Sequence, residues 1–321
     1  MRRLLPVPIW VPVPIRVLLP LLLLAACGGG EDDAPEATLA LDFQPNAVHA
    51  GIYAAQREEP GGVELDVRVP GASTDSLKLL AAGRADMAVV DIHDLGLARE
   101  RGRDVVGVGA LVQRPLAAVI ARSGEVRRPR DLEGRRVGVT GLASDEAVLR
   151  AVVESDGGDP ERVDTVTIGF AAVPSLIAGR VDAVVSFWNV EGVALRRRGV
   201  RTHEFRVDEF GAPSYPELVL AVERETLDER RALVSDLLAA LAAGTRSALR
   251  NREAAVDDLV RASGADEPLI RAQLSAVASA LRPPLRLDRR ALEGWAEFDL
   301  RFGILGAKPD VERAFALPRG K

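Results

Sequence analysis

The chain has 321 residues, of which 47% are apolar and 28% charged, and its formal net charge is −5. This composition is typical of a globular protein with one large domain or two modest lobes, and the charge gives no reason to expect nucleic acid as a partner. The single cysteine excludes an intramolecular disulfide framework and a cysteine-based zinc cluster. No spacing of His, Asp and Glu suggests a metal site, so we expect neither a metal nor a cofactor.

Residues 1–26 have the pattern of a secretory signal peptide. Basic residues precede the apolar run "VLLPLLLLAAC", which is too short to span a bilayer as a stable helix. Its last residues, "LAAC", resemble the bacterial lipobox, so we expect Cys27 to be lipidated and residues 27–37 to form a flexible tether. The alternative is an ordinary signal peptide with an incidental cysteine. The lipobox interpretation predicts an exported protein that only its lipid holds to the extracytoplasmic face of the cell membrane.

Strands and helices alternate from Thr38 onward. Apolar strands such as "ADMAVVD" (85–91) and "LAAVIAR" (116–122) are separated by amphipathic helices, which predicts parallel sheets covered on both faces. A second group of strands and helices lies between residues 122 and 216. After Thr226 the sequence is almost entirely helical, with apolar residues spaced by three and four.

This order predicts an α/β fold of two lobes. Lobe one would comprise residues 38–121 and 217–321, with the C-terminal helices on it, and lobe two residues 122–216. The chain would cross between the lobes near Arg122 and Pro213. Two such lobes behind a signal peptide and a lipid anchor resemble the solute-binding proteins of ABC importers, which have the periplasmic-binding-protein type II fold.

The stretch "LDFQPNAVHAGIYAAQ" (41–56) carries a more specific resemblance. It is similar to the first strand and helix of the family that contains thiamine-pyrimidine synthases and pyrimidine-precursor binding proteins, with sulfonate-binding relatives. The segments "GRADMAVVD", "DLEGRRVGVTG", "VDAVVSFWNVEGVAL" and "GAPSYPELVLAV" follow in the family's order. The resemblance covers most of the chain from Leu41 to Val222.

Two departures from the family's enzymes argue against catalysis. Those enzymes carry a lysine that holds pyridoxal phosphate, with a histidine four residues on. Here the two positions read Val90 and Asp94, and His93 is one residue out of register. A Schiff base requires an amine, which valine lacks. The enzymes' cysteine-rich loop is replaced by "GAPSYP", so we expect a binding protein with no catalytic residues.

The resemblance and the strand ends together predict the ligand-binding residues of lobe one. In doubly wound sheets, ligands lie beyond the carboxyl ends of the strands. We therefore expect four residues of the opening motif to face a cleft: Asp42, Phe43, Asn46 and His49. Phe43 would stack on a flat heteroaromatic ring. The alternative places Phe43 in the core and gives His49 a helix-capping role.

Lobe two offers two further candidate segments. In "SFWNVEG", Trp188 would supply a π face, while Asn189 and Glu191 would hydrogen-bond the edge of a pyrimidine. The alternative for Trp188 is simple core packing. In "VTGLASDEAVL", free N–H groups around Thr140, Gly141 and Ser144 would hold an anion or a polar substituent. An ordinary helix capped by Ser144 or Asp145 is the alternative there.

Three more candidates lie near the crossings. Asp91 and His93 follow the third strand, and one of them would contact the ligand, although Asp91 is equally suited to cap its helix. Tyr215 would line the cleft or brace the hinge.

The function implied is the solute-binding component of an ABC importer. Its ligand would be a thiamine pyrimidine precursor or a similar flat ring, its partners a permease and an ATPase, and its state a monomer. Closure of the two lobes around the ligand would produce the form that docks. Riboflavin or an alkanesulfonate are alternative ligands, although Glu191 argues against a sulfonate. A thiamine-pyrimidine synthase is the alternative from a different class.

Overall fold

The computed structural model describes residues 36–71, 75–124 and 126–317. The expected signal peptide, Cys27 and residues 27–35 of the expected tether lie outside these ranges. The last two residues expected in the tether, Glu36 and Ala37, begin the first strand instead. They pair there with Glu64 and Leu65 of a neighbouring strand.

Five strands form the sheet of the first lobe, in the order β2-β1-β3-β10-β4. β1 runs parallel to β2 and β3, whereas β10 is antiparallel to both β3 and β4. β4 is buried along its whole length, as expected for a strand covered on both faces. The strands are β1 (Glu36–Ala40), β2 (Glu64–Arg68), β3 (Met87–Asp91), β4 (Val105–Ala110) and β10 (Leu218–Glu223).

The second lobe is built on a sheet of the same size, in the order β7-β6-β8-β5-β9. β6 is parallel to β7 and β8, and β5 is antiparallel to β8 and β9. These strands are β5 (Ala117–Arg122), β6 (Arg136–Val139), β7 (Asp164–Thr167), β8 (Ala183–Phe187) and β9 (Thr202–Arg206).

Two expectations about the sheets were wrong. Both sheets are mixed, because each contains one strand, β10 or β5, that is antiparallel to its two neighbours. The first crossing also lies earlier than Arg122, in residues 111–116, since β5 already belongs to the second sheet. A short apolar run reveals that a strand is buried, but not which strands it pairs with. The chain returns to the first lobe between Arg206 and Leu218.

Helices cover the two sheets. Before β10, α1 to α3 belong to the first lobe and α4 to α6 to the second. The C-terminal part is helical from α7 to α12, as predicted. The bounds are α1 (Ala50–Glu58), α2 (Asp75–Ala81), α3 (Ile92–Glu100), α4 (Ala143–Ser155), α5 (Ala172–Ile177), α6 (Val193–Arg197), α7 (Arg224–Glu229), α8 (Arg231–Arg250), α9 (Arg252–Ser263), α10 (Glu267–Val277), α11 (Arg289–Arg301) and α12 (Val311–Ala314).

The long helix α8 packs directly on α1. By length and composition alone α8 could cross a membrane, but half of its most apolar window is buried within the protein. Glycines allow the two helices to approach closely, because a Cβ at Gly244 would overlap the carbonyl oxygen of Gly51. A Cβ at Gly51 would in turn overlap the hydroxyl of Thr245. The apolar face of α8 is therefore used for packing against the first lobe.

Helix α10 contacts both lobes. On the first lobe it packs against α9 and the 3-10 turn Ala47–His49, and on the second against α6 and the π-helical turn Trp188–Gly192. The lobes are therefore joined by a helix contact as well as by the two crossings.

Candidate functional site

A cavity of about 120 Å³ lies between the two sheets. Its walls contain the carboxyl ends of β3 and β8 and the segments that follow β1 and β6, which is where ligands bind in open α/β sheets. Residues from both lobes line it: Asp42, Phe43, Asn46, Val48, Asp91, Asp94, Ala117, Thr140, Leu142, Ser144, Asp145, Val148, Gly169, Phe170, Ala172, Val185, Ser186, Phe187, Val190, Glu191, Glu217 and Leu218.

The histidine of the opening motif positions an aspartate. His49 is fully buried and is not among the cavity's lining residues. Its Nδ1 accepts a hydrogen bond from the backbone N–H of Asn46 at 3.2 Å, so the ring proton lies on Nε2. Nε2 is 2.8 Å from Oδ1 of Asp42, which does line the cavity. The expectation that His49 itself faces the cleft was therefore wrong.

Two phenylalanines meet across the cleft. The ring centroids of Phe43, from the first lobe, and Phe170, from the second, are 5.0 Å apart with an interplanar angle of 38°. Phe170 is 57% exposed although it is a large apolar side chain. The sequence analysis did not select Phe170, because "TIGF" after β7 has no motif around it. The available signal was only a Gly-Phe pair at a strand end.

The tryptophan predicted to stack on a ligand belongs to the core instead. Trp188 is 2% exposed, and its indole N–H donates to the carbonyl of Pro115 at 3.1 Å. The Arg206 guanidinium lies 4.2 Å from the ring centroid. The cavity-lining aromatic is the preceding residue, Phe187, because successive side chains at a strand end point to opposite faces.

The π-helical turn after β8 separates two predicted polar contacts. Glu191 lines the cavity, and its Oε2 accepts the backbone N–H of Phe187 at 3.1 Å. Burial raises the pKa of Glu191 above its usual value. Asn189 is fully buried and is not part of the cavity lining, so that expectation was wrong. Neither polar atom of its amide has a partner among the described residues.

The turn after β6 is not a free anion site. The Oδ2 atom of Asp145 accepts the backbone N–H groups of Thr140, Gly141 and Leu142 at 2.7, 3.0 and 3.2 Å, and also the Thr140 hydroxyl. The donors expected to hold an anion are thus already occupied. Thr140 and Ser144 line the cavity, and Gly141 does not. Helix α4 begins at Ala143, so neither Ser144 nor Asp145 is its cap residue.

Three carboxyl groups near the crossings line the cavity. Asp91 ends β3 and accepts the backbone N–H of His93 at 2.8 Å. Glu217 ends the return crossing, and its Oε2 accepts the N–H groups of Leu116 and Ala117. Asp94 lies in the first turn of α3. Burial raises the pKa of Asp91, Asp94 and Glu217. We call these three residues the carboxyl floor.

Behind the carboxyl floor, His93 and Tyr215 form a buried hydrogen-bond chain. His93 Nδ1 lies 2.6 Å from Oδ1 of Asp299, and Nε2 lies 3.2 Å from the Tyr215 hydroxyl. Burial lowers the pKa of His93, but Asp299, Asp91 and Glu217 together outweigh it and raise that pKa to about 10. Neither His93 nor Tyr215 lines the cavity, so the expectation that they face the ligand was wrong.

One cluster among the described residues has the composition of a metal site. Ligand atoms of Asp91, His93 and Glu217 lie within 4.8 Å of one another. However, both ring nitrogens of His93 already have partners. As an imidazolium the ring carries a proton on each nitrogen and has no lone pair for a metal. This arrangement does not fit metal coordination through His93.

Of the thirteen predicted ligand-binding residues, seven line the cavity: Asp42, Phe43, Asn46, Asp91, Thr140, Ser144 and Glu191. Six others do not: His49, His93, Gly141, Trp188, Asn189 and Tyr215. The sequence analysis missed Asp94, Asp145 and Glu217 as well as the aromatic rings of Phe170 and Phe187. Among the described lining residues there are six carboxyl groups and no lysine, arginine or histidine.

A two-lobed α/β fold with a cavity between the sheets is the periplasmic-binding-protein fold. The structure is similar to the periplasmic aliphatic sulphonate binding protein SsuA from Escherichia coli, with a TM-score of 0.72, at 16% identity over 87% of this chain and 97% of that chain. The chain belongs to the NMT1/THI5-like family, whose model matches residues 46–255.

Curated relatives include both binding proteins and enzymes. The chain is 34% identical, over 76% of its length and 74% of the relative's, to the formylaminopyrimidine-binding protein of Halalkalibacterium halodurans. It is 26% identical to a 4-amino-5-hydroxymethyl-2-methylpyrimidine phosphate synthase of Legionella pneumophila, over 54% of this chain and 55% of the relative.

Proposed function

We propose that this protein is the solute-binding component of an ABC importer and captures a pyrimidine precursor of thiamine between its lobes. The observation that carries the proposal is the cavity lining, which combines aromatic rings from both lobes with carboxyl groups. A pyrimidine has a π face for the rings and amino groups that donate to carboxylates. Two relatives, a formylaminopyrimidine-binding protein and a 4-amino-5-hydroxymethyl-2-methylpyrimidine phosphate synthase, support the same ligand class.

The site favours a pyrimidine over a sulfonate. A sulfonate requires cationic side chains or free N–H donors. The described lining contains no basic side chain, and Asp145 occupies the N–H groups of the turn after β6.

The lining also favours binding over synthesis. The position of the enzymes' lysine is Val90, which is 2% exposed within β3. No lysine lines the cavity among the described residues. We therefore infer a protein that binds and delivers its ligand without changing it.

Hinge closure is the proposed mechanism. The Glu217 carboxylate ties the return crossing to the first crossing through Leu116 and Ala117, so the two crossings move together. Phe43 and Phe170 approach each other from opposite lobes. A ligand held by residues of both lobes stabilises the closed state in proportion to its preference for that state.

The proposal also includes export and lipid attachment at Cys27, so that the protein contacts the membrane through the lipid alone. As a monomer it would dock on a permease and its ATPase. Cys27→Ser should release the protein from the membrane fraction without changing ligand affinity. Fractionation of cells that express either form measures the first effect, and retention of the variant in membranes would contradict lipid anchoring.

A thermal-shift screen of the detergent-solubilised full chain tests the ligand class. The panel is formylaminopyrimidine, hydroxymethylpyrimidine, thiamine, riboflavin, taurine and pyridoxal phosphate. A ligand at a hundred times its Kd stabilises the native state by about 2.7 kcal/mol. We expect the pyrimidines to raise the Tm, Glu191→Gln to reduce that rise, and the exposed control Glu146→Gln to preserve it. A shift with riboflavin or taurine alone would overturn the pyrimidine, and one with pyridoxal phosphate alone would favour the enzyme.

A further inference from the structure

The carboxyl floor brings three carboxyl groups together in the lining of the cavity. Its members come from three segments, the end of β3, the first turn of α3 and the end of the return crossing. Carboxylate oxygens of Asp91 and Glu217 lie within 4.8 Å of each other. The nearby cations are His93, which also pairs with Asp299, and Arg101, which acts on Asp94. These two cations face four carboxyl groups, because Asp299 adds to the three of the floor. The described lining of the cavity contains no basic side chain that could make up the difference.

Acceptors in this floor remain unused. Glu217 is 2% exposed and lines the cavity, yet among the described residues hydrogen bonds reach only its Oε2 atom. Asp94 also lines the cavity and accepts no hydrogen bond from the described part of the chain. A buried carboxylate oxygen without a donor, such as Oε1 of Glu217, is costly. A ligand that brings both hydrogen-bond donors and positive charge removes that cost.

Aromatic rings share the cavity with the carboxyl floor. Phe43, Phe170 and Phe187 line it, as does the carboxyl group of Glu191. The cavity therefore offers both aromatic faces for a flat ring and carboxyl groups for a cation. A divalent metal does not meet this need through the neighbouring histidine, because both nitrogens of His93 are engaged.

We propose, on the basis of the function proposed above, that the preferred ligand is a pyrimidine carrying a positively charged ammonium arm, which the carboxyl floor binds while the aromatic residues hold the ring. An aminomethyl substituent is an alkyl amine and is protonated at neutral pH, as lysine is. Its N-formyl derivative and the hydroxymethyl analogue are neutral at the same position. The floor therefore selects the free amine over both neutral forms.

Calorimetric titration of the full chain at pH 7 tests this with three pyrimidines that differ only in this arm: aminomethyl, formylaminomethyl and hydroxymethyl. We expect the aminomethyl compound to bind at least tenfold more tightly than either neutral one. Asp94→Asn should remove most of this advantage and change the affinity for the neutral compounds less than threefold. Asp257→Asn, an exposed aspartate on α9, is the matched control and should keep the preference.

Asp94→Asn breaks no described hydrogen bond and should fold normally. Glu217→Gln is a second variant of the floor and should also reduce the preference for the aminomethyl compound. Equal or tighter binding of a neutral pyrimidine by the wild-type protein would overturn the ammonium proposal and leave the proposed function intact. Failure of all three pyrimidines to bind would overturn both. A rise in Tm with Zn²⁺ or Ca²⁺ that Asp94→Asn abolishes would show that the floor is a metal site, and would also overturn the proposal.

Discussion

Replacing His93 with glutamine should remove a large part of the loss of stability that the protein undergoes between pH 6.5 and about 10. The pKa of His93 is raised from 6.5 to about 10 by its buried carboxylate partners, chiefly Asp299. Protonated His93 is therefore favoured in the folded state. Its contribution to stability is complete below pH 6.5 and is lost as the pH rises through about 10.

The magnitude follows from the same two values. Raising a pKa from 6.5 to about 10 corresponds to roughly 5 kcal/mol at about 1.4 kcal/mol for each pH unit. Because His93 is 1% exposed, solvent screens this interaction little. At neutral pH, His93→Gln leaves the fully buried Asp299 without its cation, which should cost about 3–5 kcal/mol.

Urea denaturation at half-unit steps from pH 6 to pH 10 measures the effect as the difference between wild type and variant. Taking the difference removes the titration of groups that the two proteins share. The double variant His93→Gln/Asp299→Asn should regain part of the stability at neutral pH, because it removes the Asp299 charge together with its cation. His203→Gln is the matched control, since His203 is exposed on β9. Parallel stability curves for wild type and His93→Gln over this range would refute the reasoning.

Three further predictions concern packing and the ligand space. Gly244→Ala should destabilise the protein by about 1–3 kcal/mol in urea denaturation, since its Cβ overlaps the Gly51 carbonyl; the control Gly71→Ala has room, and an equal effect there would contradict the packing argument. Phe170→Ala should weaken pyrimidine binding about three- to tenfold by calorimetry with little loss of stability, because the ring is 57% exposed; unchanged affinity would remove Phe170 from the site. Trp188→Phe should lower the Tm, because the indole loses its buried hydrogen bond, and leave affinity unchanged; a large loss of affinity would restore the stacking role.

Much of the fold could be predicted because burial leaves a direct mark on the sequence. The apolar runs of β3 and β8 and the helical spacing after Thr226 identify elements by composition and period. Strand pairing has no comparable signal. The run from Ala117 to Arg122 is apolar on both faces, so its sequence fits either sheet, and only the tertiary structure places it in the second.

The site was predictable in position and less so in side-chain direction. Asp91 at the end of β3, and Asp42 and Glu191 just after β1 and β8, do line the cavity. At the end of β8, however, a shift of one residue exchanges Phe187 with Trp188, and no motif decides which one faces the ligand. The N–H groups after Val139 could be counted from the sequence. Their capture by Asp145 depends on how the turn closes, which the sequence pattern does not reveal.

Helix α10 is a second determinant of how the lobes open, in addition to the two crossings. It contacts both lobes, and its contact with α6 lies apart from the cavity lining. Separating the lobes therefore requires either sliding along this helix or carrying it with the second lobe. The balance between open and closed populations can consequently be tuned by substitutions on α10, without altering any residue that recognises the ligand. Affinity and release thus have separate determinants in this chain.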